Sequence, residues 1–228
     1  MKRRQFLLLT GATIGGQLVY SLDRKFFLNA GQDKPKTMRV PLRFLTEGEA
    51  LTLAAAVGRI FPSDDFGPGA NEAGVVIYID RQLGGPWGRD RYRYTQEPFD
   101  EDSPADFGYQ GKATPRQLYR EGLKNLAGLE KLSPKEQDEK LKQIENTPFF
   151  AFMRKNTIEG MFCDPLHGGN IDLIGWQLLG FPGPQMSYAD AADKNYGEAF
   201  RPKPVSLQQM MPGHKFHLLE DEDNEKPS

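Results

Sequence analysis

Apolar positions along this chain fall into helical repeats separated by long irregular stretches. Residues 45–62, "LTEGEALTLAAAVGRIFP", set Ala50, Leu53, Ala54, Val57, Ile60 and Phe61 at the spacing of one helix face. Thr46 stands at the N-cap position, Glu49 completes a capping box, and Pro62 stops the helix. Residues 71–85, "NEAGVVIYIDRQLGG", are ambiguous, because the β-branched run at 75–79 also suits a strand. Asn71 as a cap, Leu83 two turns beyond Val75 and the Gly84-Gly85 stop favour a helix. Three later starts share one design, a hydroxyl cap followed by proline at the first helical position: Thr114-Pro115, Ser133-Pro134 and Thr147-Pro148. The first helix carries Leu118, Tyr119, Leu123 and Leu126; the second, with Glu136 in its capping box, carries Leu141 and Ile144. The third, with Phe149, Phe150, Phe152, Met153, Ile158, Met161 and Phe162, is apolar enough to be the central core helix. A last short helix is expected over residues 171–180, "IDLIGWQLLG", stopped by Gly180 and Pro182.

The stretches between and around these helices lack period. Residues 86–113 hold Trp87, Tyr92, Tyr94, Phe99, Phe107 and Tyr109. A loop this long is either functional or draped over something. Its rings, with Arg89, Arg91 and Arg93, either wrap the protein's own core or anchor a partner, since aromatics and arginine dominate interface energetics. Past Pro184 the apolar period fades into a tail that ends in an acidic run. The N-terminus is of another kind. Lys2, Arg3 and Arg4 precede Phe6-Leu7-Leu8-Leu9 and a mildly apolar run diluted by Gly11, Gly15 and Gly16. A membrane span needs roughly 20 mostly apolar residues, so this run reads as a targeting segment. Arg3-Arg4-Gln5-Phe6-Leu7 fits the R-R-x-F-L core of a twin-arginine export signal, a route that carries proteins already folded. The expected organisation is an export signal at 1–30, a linker at 31–45, a small irregular all-α domain at 46–184 with its long loop at 86–113, and an extended tail at 185–228.

Composition narrows the function. Over 228 residues, acids and bases nearly cancel to a net charge of -2, which excludes the basic field of a general nucleic-acid binder. There is no Gly-rich phosphate loop and no dinucleotide fingerprint. One cysteine, Cys163, forms no internal disulfide and no cysteine-based metal site by itself. It lies in residues 162–170, "FCDPLHGGN", together with an aspartate, a histidine and two adjacent glycines. Asp164, His167 and Cys163 have spacings that a metal ion or a free-standing periplasmic enzyme would use, but Pro165 and Gly168-Gly169 equally describe a plain turn. For Cys163 the open readings are an inert buried thiol and, in an oxidising compartment, a bridge to a partner.

Residues 162–184, "FCDPLHGGNIDLIGWQLLGFPGP", resemble the signature of the gluconate 2-dehydrogenase subunit 3 family. The matching pieces are Asp164-Pro165, Gly168-Gly169-Asn170, Gly175-Trp176 and Gly180-Phe181-Pro182-Gly183, with His167 where tyrosine is expected. The resemblance extends over most of residues 1–184 and is least in the tail. It implies a non-catalytic small subunit with no cofactor of its own. Its partner would be a large subunit of the glucose–methanol–choline type, which carries FAD and oxidises a sugar or sugar acid, with a haem c (cytochrome c) subunit in some complexes. The large subunit is expected to leave the cell attached to the small one, through the twin-arginine translocase, and to work in the periplasm at the inner membrane. On that reading Arg3, Arg4, Phe6 and Leu7 are the export signal. Cys163, Trp87, Arg89, Arg91, Tyr92, Tyr94, Trp176 and Phe181 are the candidate partner contacts, and Gly168-Gly169-Asn170 with Trp176 and Phe181-Pro182 builds the turn joining the last helices.

Overall fold

The computed structural model describes residues 19–22, 38–91, 99, 102–187, 189, 197 and 203–214. Arg3, Arg4, Phe6, Leu7, Tyr92 and Tyr94 lie outside them. The protein is all-α, as expected, with α1 Glu47–Ile60, α2 Val75–Gly84, α3 Pro115–Asn125, α4 Pro134–Gln143, α5 Pro148–Phe162, α6 Ile174–Leu179 and α7 Leu207–Met210. Two four-residue strands, β1 Val19–Leu22 and β2 Met38–Pro41, pair antiparallel with Val19 opposite Pro41. The second lies within the segment expected to be a linker.

The caps behave as their residues dictate. Thr46 accepts from the Glu49 N–H while the Glu49 carboxylate returns to the Thr46 N–H at 2.8 Å. Thr114 with Gln117 and Ser133 with Glu136 repeat the device, and Thr147 caps α5 over Pro148. Residues 75–84 are helical, which resolves the ambiguity, but Asn71 is not the cap: the chain turns through Gly74 at φ 73° and α2 begins one residue later. Asn71 instead lies in the preceding turn.

α5 is the centre, packing against α1, α2, α3 and α6. Its Phe149, Met153 and Met161 join Leu53 and Val57 of α1, Val75 and Ile79 of α2 and Tyr119 and Leu123 of α3 in one core. Ile158 departs from the expected pattern and is 40% exposed, whereas the polar Asn156 and Thr157 of the same helix are buried. Asn156 is there for a partner: it accepts from the hydroxyl of the fully buried Tyr119 at 2.8 Å and donates to Glu159 at 2.9 Å. Tyr78 of α2 donates to the same Glu159 carboxylate at 3.1 Å, so three helices share one polar chain. Thr157 returns its hydroxyl to the Met153 carbonyl.

Asp80 is the device the sequence conceals. Buried on α2, its carboxylate accepts from the backbone N–H groups of Arg43, Phe44 and Leu45 at 2.7, 3.0 and 2.8 Å. Three donors on one carboxylate offset its desolvation and fix the chain entering α1. Replacing Asp80 by alanine leaves those N–H groups without their acceptor, and the unfolding free energy in urea should fall by on the order of 3 kcal/mol. An unchanged denaturation midpoint would show that the clamp contributes nothing.

Candidate functional site

The stretch around Cys163 is where the central helix ends inside the protein. The last carbonyls of any α-helix lack intrahelical donors and, away from water, need other partners. Here residues 168–176 supply them. The Asn170 N–H donates to the Gly160 carbonyl at 2.8 Å, and its Nδ2 donates to the Cys163 carbonyl at 2.8 Å. The Trp176 indole N–H donates to the Phe162 carbonyl at 2.7 Å. On its other side Asn170 uses Oδ1 to accept from the Gly175 N–H at 2.7 Å, just inside the start of α6. One fully buried amide thus ties the end of α5 to the start of α6.

The glycines follow from the same close approach. A Cβ on Gly169 would strike the Gly160 carbonyl, and one on Gly175 would strike the Met161 carbonyl. The joint also holds strained backbone: Asn170, Asp172 and Leu173 have φ of 48°, 56° and 60°. Asparagine tolerates the left-handed region; leucine does not without support. The expected single helix over 171–180 is therefore broken, into a 3-10 turn at Ile171–Leu173 and a six-residue α6.

Asp164 has both carboxylate oxygens engaged. Oδ1 accepts from the Leu166 N–H at 3.0 Å and Oδ2 from the Leu207 N–H at 2.9 Å. The second bond, with Val205 N–H donating to the Pro182 carbonyl, holds the start of α7 onto the joint. His167 is exposed on the 3-10 turn Pro165–His167. Among the described residues no group of three or more His, Cys, Asp or Glu side chains converges as metal ligands would. Cys163 is partly buried, its Sγ facing the Gly160 carbonyl at 3.7 Å. Burial pushes the thiol up to about 12, against the pull of a hydrogen bond from the Gly169 backbone. That suits the inert-thiol reading better than a nucleophile or a readily formed bridge.

The other candidate contacts divide. Trp176 is buried, and Phe181 rests edge-on against it at 5.1 Å while staying 40% exposed. Trp87 packs edge-on against Phe152 and Tyr119, and Tyr109 against Phe152, so these rings of the long loop lie on the protein's own core. Arg89 and Arg91 are exposed. Among the described residues no helix is long and apolar enough to cross a membrane. Phe66, Leu179 and Met186, none of them among the expected partner contacts, are all largely exposed. For Phe66 and Met186 the available signal was a large apolar side chain between turn-forming neighbours, where no helix face exists to bury it, whereas Leu179 is the last residue of α6.

Four outcomes test this account of the joint. Asn170→Gly keeps the left-handed backbone but removes both side-chain bonds, and should cost about 2–4 kcal/mol in urea denaturation. Trp176→Phe, losing one bond, should cost less. At pH 8, Cys163 should react with iodoacetamide at least about a hundredfold more slowly than in the unfolded chain, because so little is thiolate. Since folding disfavours the thiolate, stability should also fall as pH rises above about 8.5, the free-thiol value. Equal alkylation rates in native and denatured protein would refute this.

The family described as gluconate 2-dehydrogenase subunit 3 matches the chain over residues 47–183. No curated protein and no solved structure matches it. The matched span runs from the start of α1 through the whole joint, over more than half of the chain, and the protein belongs to the gluconate 2-dehydrogenase subunit 3 family.

Proposed function

We propose that this small subunit of a dehydrogenase complex binds, stabilises and co-exports the FAD-containing catalytic subunit. The oxidation of a sugar or sugar acid takes place on that larger chain, of the glucose–methanol–choline type, in the periplasm at the inner membrane. Electrons leave through a haem c subunit where the complex has one. What supports this reading most is the use made of the joint's polar side chains. Asp164, Asn170 and Trp176 all spend their hydrogen-bonding groups on the protein's own backbone. An acid–base site needs a side chain within reach of a substrate proton, and freeing Asp164 for that role would release α7. The twin arginines Arg3 and Arg4 give the same reading a route, because a folded pair crosses together when one member carries the signal.

The test is export in the native host. With Arg3→Lys and Arg4→Lys together, flavin-dependent dehydrogenase activity should move from the periplasmic to the cytoplasmic fraction, with total activity retained. Periplasmic activity at the parental level would sink the escort role.

A further inference from the structure

Around the joint Asp164, Asn170 and Trp176 turn their polar groups inward, while several large apolar side chains lie at the surface. Phe66 is 90% exposed, Leu179 64%, Phe181 40% and Met186 92%. Phe66, Leu179 and Phe181 are not loose ends, Leu179 being the last residue of α6. Phe66 sits at the tip of a turn closed by reciprocal backbone bonds between Asp64 and Gly67 at 3.0 and 3.1 Å, with the Asp64 carboxylate also accepting from the Phe66 N–H at 2.9 Å. That turn abuts α6, since a Cβ on Gly67 would run into Leu178. Phe181 is held by its N–H donating to the Trp176 carbonyl at 2.8 Å and by the edge-on contact with that indole. Side chains fixed before binding lose little entropy on docking. Residues 173–189 contain no Asp, Glu, Lys or Arg, in a chain that is 26% charged. Depletion of charge with exposed aromatic and methionine side chains is the composition of an interface core.

From this the geometry points to the apolar face of Phe66, Leu179, Phe181 and Met186 as the surface that docks on the flavin-carrying subunit. The assignment rests on the function proposed above. The exposed Asp64 and Asp65 border the face, so the matching surface is an apolar patch edged by lysine or arginine. The same acidic border disfavours the other occupants. Two copies meeting through this face would bring like charges together, and anionic lipid headgroups would be repelled.

The experiment uses the complex from the native host, with an affinity tag on this chain, and measures flavin recovered per mole of it. Phe66→Glu with Leu179→Glu should lower that recovery about tenfold or more, at an unchanged melting temperature and helical circular dichroism. Leu51→Glu, at a 36%-exposed leucine of α1, should leave it unchanged. Parental flavin recovery with the double variant would overturn the assignment while leaving the escort function standing. So would intact recovery with loss of a concentration-dependent dimer, or of sedimentation with phosphatidylglycerol-containing vesicles, either of which gives the face another occupant. A tagged parental chain that recovers no flavoprotein would instead overturn the proposed function, and this occupant with it.

Discussion

The central helix of this protein ends indoors, and most of the joint exists to deal with that. α5 is surrounded by α1, α2, α3 and α6, so its terminal carbonyls cannot all turn to water, and an unpaired buried carbonyl costs free energy comparable to a lost hydrogen bond. Gly160, Phe162 and Cys163 each present one, and Asn170 and Trp176 answer all three. The glycines at 169 and 175 are consequences of the same demand, because the answering segment has to pass within contact distance of the helix backbone. A stretch that looks catalytic in one dimension is a helix cap in three.

That explains how much the sequence discloses. Caps are local, their two partners lying three residues apart, so Thr46–Glu49, Ser133–Glu136 and the hydroxyl–proline starts are read directly from neighbours. Asn71 shows the limit of that logic. It had the residue type of a cap, but the left-handed Gly74 was a better corner, and the helix began there. The break within residues 171–180 was invisible for a related reason: nothing in Leu173 announces positive φ, and the residues that tie this segment to the end of α5, Asn170 and Trp176, find their partners only in the fold. Asp80 is harder still. Its three donors lie 35 to 37 residues earlier in the chain, and a lone aspartate on an apolar helix gives no hint of which backbone it will hold.

The pairing of Tyr119, Asn156, Glu159 and Tyr78 belongs to the same class of information. Periodicity identified α5 as the core helix, yet it predicted that Ile158 would be inside and gave no role to Asn156. In the fold the preference is reversed, because two tyrosine hydroxyls from α2 and α3 enter the core and need acceptors there. Their burial drives both hydroxyls' proton affinities upward, Tyr78 and Tyr119 alike, so they remain donors. A polar chain of this kind orients three helices about one axis more narrowly than apolar contact alone, and the joint is built on that fixed platform.

The orientation of side chains at the joint bears on function through a simple contrast. A catalytic cleft keeps polar groups free for a substrate and excludes water with apolar walls. Here Asp164, Asn170 and Trp176 are committed inward, while Phe66, Leu179 and Phe181 stand at the surface on hydrogen-bonded backbone. Exposing such side chains has a cost in solubility, and natural surfaces keep large apolar patches where something covers them. On the proposed function, a docking face held in place before binding would meet its partner without refolding, as export of a folded pair would require. The helix cap and the apolar rim meet at Trp176, whose indole closes the end of α5 on one side and whose carbonyl and ring hold Phe181 on the other.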